Sequence, residues 1–342
     1  MSAMVNRLAV VGATGAVGQI VLDEIQRQGL TFEDIRLLAS PRSAGKEVEI
    51  GGKRIVVQAI SPEAFNDVDL VIASTPDDVA AEFVPWAVER GCVVVDESAY
   101  YRMQPEVPLV IPEVNPDHVA EHRGIISSPN CSTTQMVVAL HPLRKAAGLR
   151  RVVVSTYQAV SGAGLAAQQE LTEATRQQLE GKLVKPQNFQ HNIAFNLIPQ
   201  IGSHRHQGFT SEEIKMVRET HKIFRDDTIH INATCVRVPV FIGHSESIYC
   251  ETKEPLELDE VRELFRNAPG VELIDDLGAS NYPMPTTCAG RPEVFVGRVR
   301  KDLDNPCGIS FWCVSDNLRK GAATNAVQIA KLVAEQSAAA RS

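Results

Sequence analysis

A chain of 342 residues exceeds the usual span of one domain, so two are expected, and 44% hydrophobic residues supply a sizeable core. A formal net charge of −8 argues against a nucleic-acid or anionic-membrane partner, either of which would need a basic surface. Seven cysteines without a Cys-x-x-Cys pair fit thiols in a reducing cytoplasm rather than a disulfide framework or zinc site, and no apolar run suits a signal core or a bilayer span.

Leu8 to Val11 form an apolar run leading into Gly12-Ala13-Thr14-Gly15-Ala16-Val17-Gly18, then into Ile20, Val21, Leu22 and Ile25, with Gly29 as a stop. This is a strand, a glycine turn and an amphipathic helix, the setting in which such a string binds a dinucleotide. Glycines let the backbone approach the pyrophosphate at the helix start. Gly12, Thr14, Gly15, Ala16 and Val17 are therefore candidate cofactor contacts. The next strand, Ile35 to Ala39, ends in Ser40-Pro41-Arg42-Ser43. An NAD site usually places a carboxylate there for the ribose 2′-OH, whereas Ser40, Arg42 and Ser43 offer donors to a 2′-phosphate, so NADP is expected.

Strands follow at 54–57, 70–73, 93–95 and 124–127, and Val79, Phe83, Val84, Ala87 and Val88 trace a helix stopped by Gly91. The alternation predicts an α/β fold with a doubly wound, Rossmann-type parallel sheet. Ser128-Pro129-Asn130-Cys131-Ser132-Thr133-Thr134-Gln135 then reads as a tight turn opening a helix through Met136, Leu140 and Leu143. Helix-start N–H groups favour a thiolate at Cys131 and can hold an oxyanion, although a small buried hydrophobe is the usual fate of such a cysteine.

Beyond Gly148 the pattern changes. Residues 151–158 alternate with period two, a helix is expected over 165–179, and strands near 232–241, 247–251, 293–299 and 309–314 predict a second, α+β domain on a mixed sheet. The last helix is expected from Asn317. The expected division is an NADP-binding domain of residues 1–130, completed by the C-terminal helix 317–342, and a catalytic and dimerisation domain of residues 131–316.

Gln158 ends its strand before Ser161-Gly162-Ala163-Gly164, where it could orient a substrate or simply face solvent. Arg237 and His244 are an odd number of residues apart, which puts them on opposite faces of one regular strand unless Pro239 and Gly243 bend it. Glu212 and Lys215 share a helix face, as a solvated bridge or as site residues. His204 and His206 lack a third ligand at metal spacing and read as loop residues, so no metal is expected.

Taken together, the glycine turn, the block around Cys131, Tyr157-Gln158-Ala159-Val160-Ser161-Gly162-Ala163-Gly164, Ile198-Pro199-Gln200-Ile201-Gly202, the 237–247 block and Asp316-Asn317-Leu318-Arg319-Lys320-Gly321-Ala322-Ala323 resemble the aspartate-semialdehyde dehydrogenase family over nearly the whole chain. The resemblance implies a homodimeric, NADP-linked oxidoreductase. Its reaction would reduce L-4-aspartyl phosphate to L-aspartate 4-semialdehyde with release of phosphate, for lysine (diaminopimelate), threonine, methionine and isoleucine biosynthesis. It implies Cys131 as acylated nucleophile, His244 as general acid and base, and Gln158 as orienting amide. Arg237 would grip the substrate carboxylate and Glu212 its amino group, with Arg102, Asn130 and Lys215 at phosphate, Ser161 at substrate, and Gly162 and Asn325 at cofactor. The 74–78 loop, Ser74-Thr75-Pro76-Asp77-Asp78, and Glu97 depart from the family pattern. A related reductase of N-acetylglutamyl phosphate and a non-catalytic dinucleotide-binding relative are the rivals. Glu212 and Arg237 weigh against the first, and joint retention of Cys131, Gln158, Arg237 and His244 against the second.

Overall fold

The computed structural model describes residues 4–341 and divides into two units, one built from the chain up to Asn130 together with the segment from Ala322, the other from Cys131–Gly321. The first unit contains β1 (Met4–Val11), α1 (Ala16–Arg27), β2 (Thr31–Ala39), β3 (Glu47–Ile50), β4 (Lys53–Val56), β5 (Gln58–Ala59), β6 (Leu70–Ala73), α2 (Asp77–Glu89), β7 (Val93–Asp96) and β8 (Ile125–Ser127). Six of these strands make a parallel sheet in the order β5-β2-β1-β6-β7-β8. The chain leaves β1 toward β2 and β5, then returns to lay β6, β7 and β8 on the other side. The switch point between β1 and β6 is where such sheets take a ligand, beyond the strands' carboxyl ends.

Both faces of this sheet are covered. Leu8 and Val10 join Val21 and Ile25 of α1 in one layer, while Ala9 and Val11 join Phe83 and Val84 of α2 in the other. Alternate side chains of one strand thus serve two cores, each buried Leu or Val contributing about 1.5–3 kcal/mol. The strand expected at 54–57 does form, but outside this sheet. It pairs antiparallel with β3 around Gly51 and Gly52, whose φ angles of 57° and 76° suit a tight hairpin.

The second unit contains α3 (Cys131–Ala147), β9 (Leu149–Gln158), α4 (Leu165–Leu179), α5 (Ser211–Phe224), β10 (His230–Arg237), β11 (His244–Thr252), α6 (Leu258–Arg266), β12 (Val271–Leu273), α7 (Pro285–Cys288), β13 (Val294–Lys301) and β14 (Gly308–Ser315). Its mixed sheet runs β10-β9-β11-β14-β13-β12, parallel at β10/β9 and β12/β13 and antiparallel between. Helix α3 is buried almost all round from Ser132 to Leu140, as befits a helix enclosed by sheet and neighbouring helices rather than one with a solvent face.

One long strand was expected over 232–241, and the structure corrects this. β10 ends at Arg237, the loop 238–243 crosses the end of β9, and β11 begins at His244 on its far side. Pro239 cannot donate to a ladder, and Gly243 takes φ 97° against Pro285, so the chain leaves the strand here instead of bulging within it.

The final helix also starts later than Asn317. Asp316 Oδ1 accepts from the backbone N–H groups of Leu318 and Arg319 at 2.9 and 3.2 Å, and a wide π turn spans Arg319–Ala323. Regular helix α8 (Thr324–Arg341) follows, returning Ala326, Val327, Ile329, Ala330 and Val333 to the core of the first unit.

Candidate active site

Cys131 is the first residue of α3 and is half-buried. None of the seven cysteines is in a disulfide. Burial pushes the Cys92 thiol up to about 11 and the Cys250 thiol to about 12, and raises Cys235, Cys288 and Cys313 as well, so these five are inert at neutral pH. Cys131 differs in place and surroundings. The π turn brings Gly321 against it so closely that a Cβ on Gly321 would lie 2.7 Å from Cys131 Cβ. A side chain at 321 would push the sulfur out of position.

Gln158, Arg237 and His244 form a row across three strands. Arg237 pairs in register with Gln158 at the end of β9, and His244 lies one step beyond the Ser245–Tyr157 pair on the other flank. Residues level on neighbouring strands share a face, so all three project together, and the odd spacing of Arg237 and His244 along the chain has no bearing. Ala159 ties the row together. Its N–H donates to His244 Nδ1 at 3.0 Å, and its carbonyl accepts from Arg237 Nη1 at 2.7 Å. Gly162 packs on both, for a Cβ there would stand 3.0 Å from Arg237 Nη1 and 3.3 Å from His244 Nε2.

The protonation of this row follows from its contacts. Burial, and then the Arg237 charge, hold His244 well below the usual imidazole range, so the ring is neutral. Because Nδ1 accepts from Ala159, the single ring proton belongs on Nε2, which is buried and meets no hydrogen-bond partner among the described residues. Burial also lowers the Arg237 guanidinium, against the opposing pull of Cys131 and Glu212. Arg237 therefore lies within electrostatic reach of the thiol, where its charge favours the anion.

Gln158 Nε2 donates to Ser132 Oγ at 2.7 Å and to Glu212 Oε1 at 3.2 Å, so its amide faces inward. Glu212 is buried and pairs with the partly exposed Lys215 at 3.6 Å, so this pair is no solvated bridge. Glu213 fixes their helix: Thr210 and Glu213 form a capping box on α5, and Glu213 Oε1 also accepts from the Cys235 N–H at 3.1 Å, tying α5 to β10. Ser161 is held by Asn317, whose Nδ2 donates to Ser161 Oγ at 2.9 Å and whose Oδ1 accepts from the Gly243 N–H at 3.0 Å. Sequence reasoning missed Asn317 and Ala159 as positioning groups. Both sit inside the motif blocks, but one acts through backbone atoms and the other read as a helix start.

The remaining candidates lie in the first unit. Gly12 takes φ 85°, its N–H donates to Leu38 O at 2.8 Å, and a Cβ would stand 2.2 Å from Ser74 O. Gly18 is equally constrained, since its Cβ would lie 2.1 Å from Gly12 O, while Thr14, Gly15, Ala16 and Val17 remain accessible. Such a bare turn at a helix start fits a pyrophosphate. Ser40 and Arg42 are exposed beside half-buried Ser43 in a single turn after β2. Arg102 is buried, its Nε donating to Ser128 O at 2.9 Å; Asn130, next to the cysteine in sequence, is buried too. Asn325 Nδ2 donates to Val110 O at 3.0 Å and Ser128 Oγ at 2.9 Å. His204 and His206 are exposed, and among the described residues no group of three or more His, Cys, Asp or Glu could hold a metal.

Comparison with known proteins follows the same division. Residues 7–122 match the family description "Semialdehyde dehydrogenase, NAD binding domain" and residues 140–320 match "Semialdehyde dehydrogenase, dimerisation domain". The aspartate-semialdehyde dehydrogenase of Aquifex aeolicus is 49% identical over 334 residues, covering 96% of this chain and 98% of the relative. The crystal structure of aspartate semialdehyde dehydrogenase II of Vibrio cholerae complexed with ASA superposes with a TM-score of 0.94 at 43% identity, over 96% of this chain and 98% of that one. The enzyme of Candida albicans with NADP does so with a TM-score of 0.74 at 26% identity, over 96% and 98%.

Proposed function

Since the chain belongs to the aspartate-semialdehyde dehydrogenase family, we propose that it reduces L-4-aspartyl phosphate to L-aspartate 4-semialdehyde, with release of phosphate, through a thioester on Cys131. The observation that carries this reading is the row of Gln158, Arg237 and His244 in the same unit as a half-buried cysteine at a helix start. NADPH, when bound, supplies the hydride that reduces the thioester.

Each residue then has work suited to its chemistry. Cys131 attacks the acyl carbon as thiolate, and phosphate leaves as the tetrahedral adduct collapses. The Nε2–H of His244 donates a hydrogen bond to oxygen carrying the developing charge, as a neutral imidazole does when an electrophile rather than a strong acid is needed. To act as a base at Nε2 the ring would first have to give up the Ala159 contact, because both nitrogens cannot be acceptors in a neutral ring. Gln158, locked by Ser132 and Glu212, orients the acyl group. Arg237 suits the α-carboxylate and buried Glu212 the ammonium of an aspartyl substrate. Arg102, Asn130 and Lys215 are assigned to phosphate, Ser161 to substrate, and Gly162 and Asn325 to the cofactor side, as the resemblance implies.

The glycine turn, with the arginine-bearing segment after β2 and no carboxylate there, supports NADP over NAD. Arg42→Glu is expected to raise the KM for NADPH by about 10- to 100-fold, since hydrogen bonds to charged groups are worth about 1.5–3 kcal/mol, and to leave that for NADH nearly unchanged. Steady-state assays with both cofactors check it; equal effects on the two would remove the assignment. The matched dimerisation domain supports a homodimer. Thiols without disulfides support a cytoplasmic setting; no helix among the described residues is long and apolar enough to cross a membrane.

Reverse-direction assays with phosphate test the substrate. L-Aspartate 4-semialdehyde should be turned over at least about 10³-fold better, by kcat/KM, than N-acetylglutamate semialdehyde, because an acetylated amine carries no positive charge for buried Glu212 to hold. Preference for the acetylated aldehyde would overturn the reading.

A further inference from the structure

The carboxyl ends of neighbouring strands in the first unit hold a group that the proposed chemistry does not use. Glu97 directly follows β7. Its N–H donates to Ala73 O at 3.0 Å, and its Oε2 accepts a hydrogen bond from Ser74 Oγ in the loop after β6. The Ser74 carbonyl in turn packs on Gly12 so tightly that only glycine fits there. The two departures from the family pattern, the 74–78 loop and Glu97, are therefore partners, and they touch the glycine turn at the switch point. Two polar atoms here are sealed from solvent and meet no hydrogen-bond partner among the described residues: Glu97 Oε1 and Thr75 Oγ1. Leaving such atoms unmatched is destabilising, and a ligand with matching groups would relieve that cost.

We propose that Glu97 is a cofactor-facing residue that links proton uptake to dinucleotide binding, the crevice taking NADPH with Glu97 neutral and losing affinity once it ionises. This rests on the dinucleotide reading of the glycine turn given above. NADPH is polyanionic, so a carboxylate beside that turn opposes it, whereas a neutral carboxyl adds an O–H donor.

The groups facing Glu97 set where it ionises. Burial is the largest influence and pushes it up to about 7, the Ser74 hydroxyl and Arg102 opposing and the Asp96 carboxyl on β7 reinforcing. Arg102 donates from Nη2 to Glu97's own carbonyl at 2.6 Å, so its charge is held at the backbone of this residue. Asp96 is itself raised by burial, accepts from the Ser98 hydroxyl at 2.6 Å, and has Asp77 at the start of α2 as a further acidic neighbour. Tyr101, pushed to about 12 chiefly by burial, stays neutral. A raised carboxyl pKa means that affinity is full below the transition and is lost as pH rises through about 7.

Binding of NADPH to the apoprotein, followed by its fluorescence without substrate from pH 6 to 8.5, tests this independently of turnover. The wild-type Kd should rise by up to about tenfold per pH unit above the transition, the limit for one linked proton. Glu97→Gln, a neutral isostere, should remove that rise and keep the low-pH affinity; the 2′-phosphate of NADPH titrates equally in both proteins and cancels in their ratio. Ser74→Ala, which deletes a donor to the carboxylate, should move the transition to higher pH. A wild-type curve that parallels that of Glu97→Gln would overturn the proposal. So would a transition unmoved in Ser74→Ala, which serves as the test should Glu97→Gln fail to fold. Absence of NADPH binding at every pH in every variant would instead sink the dinucleotide reading itself.

Discussion

Cys131→Ser should lower turnover by about four to six orders of magnitude while NADPH still binds with wild-type affinity. The size follows from the chemistry of the nucleophile: an alkoxide is far harder to form at neutral pH than a thiolate, and a helix start beside a guanidinium favours a thiolate without making a serine ionise. Cys131→Ala should fall as far, because no other thiol can substitute: Cys92, Cys235, Cys250, Cys288 and Cys313 are buried with raised pKa values, and half-buried Cys307 sits beside Thr252, at the opposite end of β11 from His244. Single-turnover measurement of phosphate release separates acylation from hydride transfer, and both should vanish. Residual activity within tenfold of wild type would end the thioester mechanism.

His244→Ala should cost about 10²- to 10⁴-fold in kcat/KM, the range typical of a lost catalytic hydrogen-bonding or proton-transfer group. The pH profile distinguishes the two roles. With burial and Arg237 holding the ring well below its ordinary range, His244 stays neutral from pH 6 to 8 and contributes no acid limb there. Its Nε2–H then acts as a fixed donor, so His244→Gln, which retains an N–H, should keep more activity than His244→Ala. An acid limb near pH 6.5 that disappears in both variants would show that the ring transfers a proton in that range and would contradict the tautomer set by Ala159.

Much of the architecture was legible because it depends on local patterns. The parallel sheet was readable from the apolar runs at 8–11, 70–73 and 93–95, bounded by helices and glycine stops. Helix α4 falls at 165–179, where its spacing predicts it. Period and composition act within a few residues, and those interactions survive without knowledge of the rest of the chain. The strand expected at 54–57 was assigned to the wrong sheet for the same reason: an apolar strand pattern reports extended backbone but not which strand it joins.

By itself the sequence determined the glycine turn and its arginine-bearing successor, and it set a cysteine at a helix start, because a turn, a cap and a strand end are written in adjacent residues. Only the tertiary structure decided that Arg237 and His244 face the same way, since β10 and β11 flank β9 and the parity of a single strand ceases to apply once the chain crosses to another. It likewise decided which proton His244 carries and where Asn317 reaches. Those depend on contacts across tens of residues, made by backbone groups and buried amides whose partners no local spacing specifies.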